Sequence, residues 1–529
     1  MTRKLLSAAL VLIAGCGPTR AEEREAVLPP GLRVERAGGA TRVDAVFAGR
    51  LIDFALPSSD GATRDVVALV APFPEAAAAR GEGAPGPRKL PPCSEAAEPA
   101  LRLYRFAADG SGDLSLLRDD LPATCDALHA TDVDGDGLDD LVVSCDGVLL
   151  AFALPQPRGD DTDGGPRHLV AAPHTVWRFL RPPASPLAGR DTPGVVAGVG
   201  LGSFTLYGRG ADGAWGPVSR IELPVEGAYR GGALRITSEI PAFLGVGADG
   251  ALTFVTEPVA VGARRLRTLL IEFTSTAGAH VTECWSSLPQ NEDVLESVPL
   301  MLDGKPAMFV TTKPAGKLSL FGEKRIRIHA LARDRSRLGT TPLFSADSRM
   351  NLWQESVPAL VDVNGDGLDD LVVGFWKGLM DEKVVLDAYL REPSGAFRVA
   401  PRTTDLDVEG GDRGVLLYGA DLDGDRLADL LVRTERDLRI YPGLPSTDGK
   451  RLVADEPRVI PTGGLGPAGG PVQVRVSVGQ ATGVDIGPVP GRPKLADLDS
   501  DGVSEILILR RGGLDEPGAL RILWLHEAR

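Results

Sequence analysis

The chain reads Asp132-Val133-Asp134-Gly135-Asp136-Gly137-Leu138-Asp139-Asp140-Leu141-Val142-Val143, and three variants of this stretch begin at Asp362, Asp421 and Asp497. We call the four stretches loop 1 (132–140), loop 2 (362–370), loop 3 (421–429) and loop 4 (497–505). Oxygen-bearing side chains stand at positions 1, 3, 5 and 9 of every loop. They are Asp132, Asp134, Asp136 and Asp140; Asp362, Asn364, Asp366 and Asp370; Asp421, Asp423, Asp425 and Asp429; and Asp497, Asp499, Asp501 and Glu505.

This spacing is typical of a calcium loop, because Ca²⁺ takes about 6–8 oxygen ligands and a tight turn brings alternate side chains to one side. Position 7 is apolar in all four loops and is expected to offer its backbone carbonyl; it is occupied by Leu138, Leu368, Leu427 and Val503. Position 6 is glycine except in loop 3, which has Arg426. A side chain strains the turn there, and its positive charge opposes a cation, so we expect loop 3 to bind most weakly. From their ligand sets we expect loops 1 and 2 to bind most strongly.

The four loops are not EF-hands, which need a bidentate Glu at position 12 and flanking helices. Position 12 is apolar here and lies within short runs rich in β-branched residues, such as Leu141-Val142-Val143 and Ile506-Leu507-Ile508. Runs of this kind, bounded by turn residues, are typical of buried strands. The pattern therefore predicts a strand, a calcium loop and a second strand, repeated in an all-β chain.

An Asp-x-Asp-x-Asp-Gly-x-x-Asp loop followed by an apolar strand resembles the FG-GAP/VCBS repeat of integrin-α-like β-propellers. The resemblance implies a single propeller of four-stranded blades, with the calcium loop between the first two strands of several blades, and up to four bound Ca²⁺. A clear Phe-Gly and Gly-Ala-Pro signature is missing, which places the chain nearer the bacterial VCBS branch. Members of this family bind varied ligands, so the resemblance implies the fold and the metal but no particular partner.

Repetition extends beyond the loops. Glu296-Ser297-Val298-Pro299 and Glu355-Ser356-Val357-Pro358 each lead to an apolar triplet and then an aspartate, and Asp303, Asp362 and Asp421 follow one another at intervals of 59 residues. That period suits a propeller blade rather than a solenoid repeat. Counting such units predicts seven or eight blades over residues 31–529. A strand near Leu32–Val34 is expected to complete the final blade and close the ring, which hides its edges.

The first sixteen residues have the proportions of a signal peptide, with basic residues followed by an apolar run. The run ends in Ile13-Ala14-Gly15-Cys16, which resembles the bacterial lipobox. This resemblance implies that residues 1–15 are removed and that Cys16 is acylated, with residues 16–30 as a tether. A simple cleaved secretory signal is the alternative. No later run approaches the length of a transmembrane helix, so we expect an exported protein that is lipid-anchored in a bacterial cell envelope, at the outer membrane or cell surface.

Four cysteines follow Cys16, and an exported protein permits disulfides between them. Folding loop 1 as a hairpin places Cys125 and Cys145 on neighbouring strands, in a roughly diagonal position, and favours that pair. Cys93 with Cys125 is the competing pair, and Cys284 is expected to be free.

The formal charge of −15 argues against nucleic acid as a partner. No metal-ligating histidine spacing, nucleophile elbow or phosphate-binding glycine loop is present, so no catalytic residue is assigned. Carboxylates that hold Ca²⁺ are poor proton carriers, because the cation keeps them ionised. We therefore expect a non-catalytic binding or scaffold module for a protein or glycan. The alternative is an enzyme resembling calcium-dependent propeller polysaccharide lyases.

Overall fold

A computed structural model describes residues 30–37, 40–57, 65–73, 100–134, 138–145, 148–154, 167–171, 176–179, 196–200, 203–209, 215–222, 225–230, 233–238, 242–246, 251–256, 259–261, 265–274, 278–287, 292–314, 323–331, 342–351, 356–377, 383–408, 414–434, 437–445, 451–462, 493–499, 501–512 and 517–525. The regular elements in these residues are all strands, which confirms the predicted all-β class. None of the described residues forms a helix that is long and apolar enough to cross a bilayer.

The strands of the first half of the chain are β1 (Gly31–Ala37), β2 (Ala40–Val46), β3 (Gly49–Ala55), β4 (Asp65–Pro72), β5 (Leu101–Ala107), β6 (Ser115–Leu121), β7 (Cys125–Thr131), β8 (Asp140–Cys145), β9 (Val148–Phe152), β10 (Arg167–Ala171), β11 (Val176–Phe179), β12 (Val196–Gly200), β13 (Ser203–Arg209), β14 (Trp215–Glu222), β15 (Val225–Arg230), β16 (Ala233–Ser238), β17 (Ala242–Val246), β18 (Leu252–Val255) and β19 (Val259–Val261).

The strands of the second half are β20 (Arg265–Thr274), β21 (Gly278–Ser287), β22 (Glu292–Leu302), β23 (Lys305–Pro314), β24 (Glu323–Ala330), β25 (Phe344–Asn351), β26 (Val357–Val361), β27 (Asp370–Lys377), β28 (Lys383–Tyr389), β29 (Arg402–Asp407), β30 (Val415–Ala420), β31 (Asp429–Arg433), β32 (Asp437–Tyr441), β33 (Arg458–Pro461), β34 (Lys494–Ala496), β35 (Glu505–Arg510) and β36 (Ala519–Trp524).

Within the described residues these strands form eight antiparallel sheets of four or five strands and one separate hairpin, β15–β16. In chain order we call the sheets blade 1 (β3–β6), blade 2 (β7–β10), blade 3 (β11–β14), blade 4 (β17–β21), blade 5 (β22–β25), blade 6 (β26–β29), blade 7 (β30–β33) and blade 8 (β34–β36 with β2 and β1). The sheets are those of a β-propeller, and their number is the larger of the two predicted counts.

Hydrophobic clusters join each blade to the next. Blades 2 and 3 share a cluster containing Val142 and Tyr207, and blades 3 and 4 share one containing Phe204 and Phe254. The other neighbouring pairs share clusters of the same kind, including the pair formed by blades 8 and 1. The core is therefore a continuous band between blades, and the blades form a closed ring.

The second strand of each loop-bearing blade is buried over most of its length: β8 and β31 throughout, β27 over its first six residues and β35 over its first four. A central strand covered on both faces needs apolar side chains on both sides, which is why these strands read as continuous apolar runs instead of alternating ones. The predicted strands after the four loops are confirmed.

The ring closes through β2, not through the strand near Leu32–Val34. β2 pairs with β36 from Thr41 opposite Trp524 to Val46 opposite Ala519, and β1 adds a fifth, outer strand. Val43 of β2 is fully buried, whereas Val34 of β1 is 43% exposed. An N-terminal strand closes the ring, as predicted, but the strand is β2 and not the one near Leu32–Val34. β2 carries the side chains that pack at this closure.

Buried charges lie where the closing blade, blade 8, packs against blade 7. Arg521 lies on β36, and its guanidinium donates to Asp44 of β2, with Nε 2.6 Å from Oδ1, and to the Thr462 carbonyl. Arg433, at the end of β31, is also fully buried, and none of its three guanidinium nitrogens has a hydrogen-bond partner among the described residues. Burial, together with the positive charge of Arg521, lowers the pKa of Arg433 to about 10.

All four loops join the first strand of a blade to its second strand: β7 to β8, β26 to β27, β30 to β31 and β34 to β35. Because the first strands of propeller blades run in the same direction, these junctions lie at one end of the ring, which we call the loop face. In blade 8 the register runs from Ala496 opposite Glu505, at the loop face, to Arg510 opposite Ala519 at the other end. Gly31 pairs with Val46, so β1 begins at the end remote from the loop face.

Candidate metal centres

In loops 2, 3 and 4 the carboxylate at position 1 accepts hydrogen bonds from backbone N–H groups of its own loop. In loop 2, Asp362 accepts from Gly365 and Gly367, with nitrogen-to-oxygen distances of 2.7 Å each. In loop 3, Asp421 accepts from Gly424 at 2.7 Å and from Arg426 at 2.8 Å. Loop 4 repeats the second contact, from the N–H of residue 502 to Asp497 at 3.1 Å. These three loops therefore share a conformation as well as a spacing.

The carboxylate at position 5 accepts from the N–H at position 7. The bonds run from Leu368 to Asp366 at 2.9 Å, from Leu427 to Asp425 at 2.8 Å, and from Val503 to Asp501 at 2.8 Å. Since the backbone N–H at position 7 is engaged inside the loop, the carbonyl of the same residue is the backbone group that remains to act as a ligand.

The position-9 carboxylates, which are Asp140, Asp370, Asp429 and Glu505, are all buried. Each accepts from the N–H at position 2 of its own loop, over distances from 2.6 Å at Leu498 to 3.3 Å at Val363. In loops 2 and 3 the second oxygen accepts from a residue just after the third strand of the blade: Arg391 and Gly443, each at 2.6 Å. These carboxylates fasten the loops to their blades.

Burial dominates the electrostatics at position 9. Burial, reinforced by the neighbouring carboxylates, raises the pKa of Asp370 to about 6, that of Asp429 to about 7 and that of Glu505 to about 9. Backbone hydrogen bonds oppose these increases without cancelling them. A cation beside these groups would favour their ionised form.

Three loops bring carboxylate oxygens together. One oxygen from each of three residues lies within 4.8 Å of the others in loop 1 (Asp132, Asp134, Asp140), loop 3 (Asp421, Asp423, Asp425) and loop 4 (Asp497, Asp499, Glu505). Ligands on opposite sides of a Ca²⁺ ion lie about 5 Å apart at the usual Ca–O distances of roughly 2.3–2.6 Å. The oxygens of these loops therefore have the separation that the ion requires.

Loop 2 is arranged differently, although all of its residues are described. Its three aspartates do not form a group within the same 4.8 Å limit. The Asn364 amide donates to Asp366 at 3.0 Å, which uses one predicted ligand to hold another. The ranking that places loops 1 and 2 first in affinity stays a prediction.

The donor set fits Ca²⁺ chemically. The predicted side-chain ligands are all oxygens, which suits a hard cation. In loop 4, Asp497 Oδ1 is buried without a hydrogen-bond partner among the described residues. A buried carboxylate oxygen without a partner carries a large desolvation cost, which a bound cation would offset.

Arg426 occupies position 6 of loop 3 with φ of 68°, in the left-handed region that a side chain disfavours. The corresponding glycines of loops 2 and 4 have φ of 82° and 92°. The turn therefore requires a positive φ, as expected for this position, and Arg426 adopts it.

Loops 3 and 4 touch each other across the junction of blades 7 and 8. The Ser504 N–H donates to the Asp421 carbonyl at 2.9 Å. A Cβ atom placed on Gly424 would lie 3.4 Å from a methyl group of Val503, so the two turns are in close contact. Position 1 of loop 3 is thus bonded to the residue that follows position 7 of loop 4.

Several predicted residues lie outside the described part of the chain, among them Cys16, Cys93 and Asp136. Cys125 and Cys145 form a disulfide, and they face each other directly in the β7–β8 register instead of diagonally. Cys284 is buried and forms no disulfide within the described part of the chain, and burial raises the pKa of its thiol to about 12.

The sequence does not reveal the partners of the position-9 carboxylates, since Arg391 and Gly443 lie 21 and 14 residues downstream. It also does not reveal an ion pair between Arg391 of blade 6 and Asp303 of blade 5. The 59-residue spacing marks Asp303 as an equivalent of position 1, but no local pattern marks Arg391.

Comparison with known proteins finds similarity only at the level of structure. No protein-family model matches the chain, and no curated protein matches it. The crystal structure of the WD40 domain of SCAP from fission yeast is similar with a TM-score of 0.42 and 9% identity, and covers 94% of this chain and 99% of that one.

Proposed function

We propose that this chain is a calcium-binding propeller that acts as a non-catalytic binding or scaffold module. The observation that carries the proposal is the convergence of three carboxylate oxygens within 4.8 Å in each of loops 1, 3 and 4, at the same strand junction of three blades. Asparagine and aspartate side chains at the corresponding positions of loop 2 provide a fourth candidate site.

In this proposal the residues at positions 1, 3, 5 and 9, with the position-7 carbonyl, hold the ion. Bound Ca²⁺ would supply the positive charge that the clustered carboxylates lack, and it would fix the first and second strands of each loop-bearing blade to each other. The loop face would then be a rigid surface that offers side chains to a protein or a glycan. Loops 2, 3 and 4 belong to consecutive blades, so most of the stiffening would act on one side of the ring.

The loops support membership of the FG-GAP/VCBS-like propellers, and Ile13-Ala14-Gly15-Cys16 supports a lipid anchor in a bacterial envelope. Both are parts of the proposal. An acyl-anchored propeller would expose its binding surface outside the bilayer while its attachment needs no transmembrane segment.

Calorimetric titration of the full chain with Ca²⁺ tests the proposal. The wild type should bind up to four ions. A variant with Asp134→Asn, Asp423→Asn and Asp499→Asn, one change in each converging group, should lose three of them. A wild type that binds no Ca²⁺, or a variant with unchanged stoichiometry, would overturn the assignment.

The partner is tested with the same two proteins. Wild type and triple variant are used in pull-downs with envelope proteins and glycans, with and without Ca²⁺, and partner binding should require both Ca²⁺ and intact loops. Incubation with acidic pectins tests the alternative that the protein is a polysaccharide lyase. Unsaturated products would show lyase activity and contradict the proposal of a non-catalytic module.

A further inference from the structure

Blade 5 contains a turn at the place where blade 6 has loop 2. β22 ends at Leu302 and Asp303 follows, just as β26 ends at Val361 and Asp362 follows. The turn is short, with Asp303 at φ of 52° and Gly304 at 65°, and β23 starts at residue 305. Blade 5 therefore keeps the position-1 aspartate and lacks the remaining ligands.

The guanidinium of Arg391 binds both carboxylate oxygens of this aspartate. Arg391 Nη1 and Nη2 donate to Asp303 Oδ1 and Oδ2, both at 2.5 Å, which is the bidentate geometry of a strong ion pair. The Arg391 side chain is only 9% exposed, and its guanidinium carbon lies 5.6 Å from the centre of the Phe397 ring. The cation is therefore held in place by its own blade while it pairs with the neighbouring one.

Arg391 is also a neighbour of loop 2. Its backbone N–H donates to Asp370, the position-9 carboxylate of that loop. The hydrogen bonds to Asp303 raise the pKa of Arg391, and the negative charges of Asp369 and Asp370 raise it further. Conversely, the hydrogen bonds from Arg391 hold the pKa of Asp303 below its ordinary value.

We propose that Arg391 is the resident cation of the blade 5 turn, and that Asp303 acts as a positioning residue which keeps this guanidinium away from the carboxylates of loop 2. The inference rests on the proposed binding of Ca²⁺ by loop 2. In blade 5 the protein supplies its own charge where loops 1 to 4 are proposed to take a metal ion. Asp303 affects the affinity of a site to which it contributes no ligand.

The two members of the pair should have opposite effects. With Asp303→Asn, Arg391 loses its bidentate partner and turns toward Asp369 and Asp370, where it competes with Ca²⁺. With Arg391→Met, a positive charge beside loop 2 disappears and the backbone N–H to Asp370 remains, so Ca²⁺ should bind more tightly. If the ion pair only held the blades together, both substitutions would loosen loop 2 and weaken binding.

Hydrogen exchange measured by mass spectrometry on the full chain isolates loop 2 from the other sites. The measured quantity is the calcium concentration at which the peptide covering residues 362–371 becomes half protected. Asp303→Asn should raise this midpoint, and Arg391→Met should lower it, each by about two- to fivefold, the size typical of a partly exposed ion pair. The double variant should have the lowered midpoint of Arg391→Met, because Asp303 acts only through the guanidinium, and Arg391→Lys should remain near the wild-type midpoint.

Asp347→Asn is the matched control. Asp347 is in blade 5, is exposed and accepts a hydrogen bond from Arg325 at 2.7 Å, so this change removes the same charge from another arginine pair. The proposal is overturned if Asp303→Asn behaves like Asp347→Asn, or if both members of the pair shift the midpoint in the same direction. A wild-type peptide that Ca²⁺ never protects would instead refute calcium binding by loop 2, which is a separate outcome.

Discussion

Removal of calcium should destabilise this propeller strongly and unevenly. Three loops each bring three carboxylate oxygens within 4.8 Å of one another, and three of the four loops lie between residues 362 and 505. At such distances unneutralised charges repel by about 4 kcal/mol per pair at an effective dielectric constant near 20. We therefore expect chelation to loosen blades 6 to 8 first.

The size of the effect follows from the number of sites. Extracellular calcium modules bind with Kd of about 10⁻⁴–10⁻³ M, so about 10 mM Ca²⁺ is a ten- to hundredfold excess. A ligand bound only by the folded state then adds about 1.4 to 2.7 kcal/mol per site, or roughly 6 to 11 kcal/mol for four sites. This is comparable with the whole free energy of unfolding of a typical domain, about 5–15 kcal/mol.

Thermal unfolding in calcium and in chelator, with limited proteolysis in the same two buffers, measures both parts of this prediction. The Tm should fall in chelator. In limited proteolysis, the cleavage that appears when calcium is removed should occur in residues 362–505 before it occurs in residues 192–310. The triple variant with Asn at positions 134, 423 and 499 should lose most of the difference. Coincident melting curves for the wild type would show that the loops are ordinary Asp/Gly turns.

Four further results are expected. Cys16→Ser should yield an unacylated protein that is released from membranes, and mass spectrometry that finds acyl chains on the variant would contradict the anchor. Arg426→Gly should tighten one site in a calorimetric calcium titration, because the positive φ of 68° then costs nothing and a positive charge is removed; unchanged affinity and stoichiometry would refute the role of Arg426. Arg433→Met should raise the free energy of unfolding, measured by urea denaturation, by about 1–4 kcal/mol. The reason is that the substitution removes a buried guanidinium that has no hydrogen-bond partner in the described structure. A less stable variant would show that the protein compensates this charge. In chelator the Tm should fall as the pH rises from 5 to 9. The position-9 carboxylates of loops 2, 3 and 4 have folded pKa values of about 6, 7 and 9, above their unfolded values, so the folded chain binds more protons than the unfolded chain. Saturating Ca²⁺ should flatten this dependence on pH, and a Tm that rises with pH in chelator would contradict the prediction.

The strands beside the loops could be predicted because their signal is local. A run such as Leu141-Val142-Val143 between turn residues has to be covered on both faces, and β8 is. The closing strand could not be identified in the same way. Leu32-Arg33-Val34-Glu35 alternates as convincingly as β2 does, and only the packing of Val43 against residues almost 500 positions away decides between them.

The candidate ligands were predictable for a similar reason, since positions 1 to 9 fall within a single turn. The contacts that anchor that turn were not. Gly443 reaches Asp429 from beyond the next hairpin, and Arg391 reaches Asp303 from another blade. Such partners depend on how strands and blades are arranged in space, and no spacing in the sequence encodes them.

The register of β1 determines how an anchored molecule would be oriented. The chain enters blade 8 at Gly31, which pairs with Val46 at the end of the ring remote from the loop face. In a protein held by Cys16, about 15 residues, at most roughly 50 Å when extended, would separate the lipid from this entry point. The ring would then rest with its calcium-free end toward the bilayer and display loops 1 to 4 to the opposite side. A partner arriving from the surrounding medium would meet the acidic loops first, and anionic lipid head groups would not compete with them for calcium.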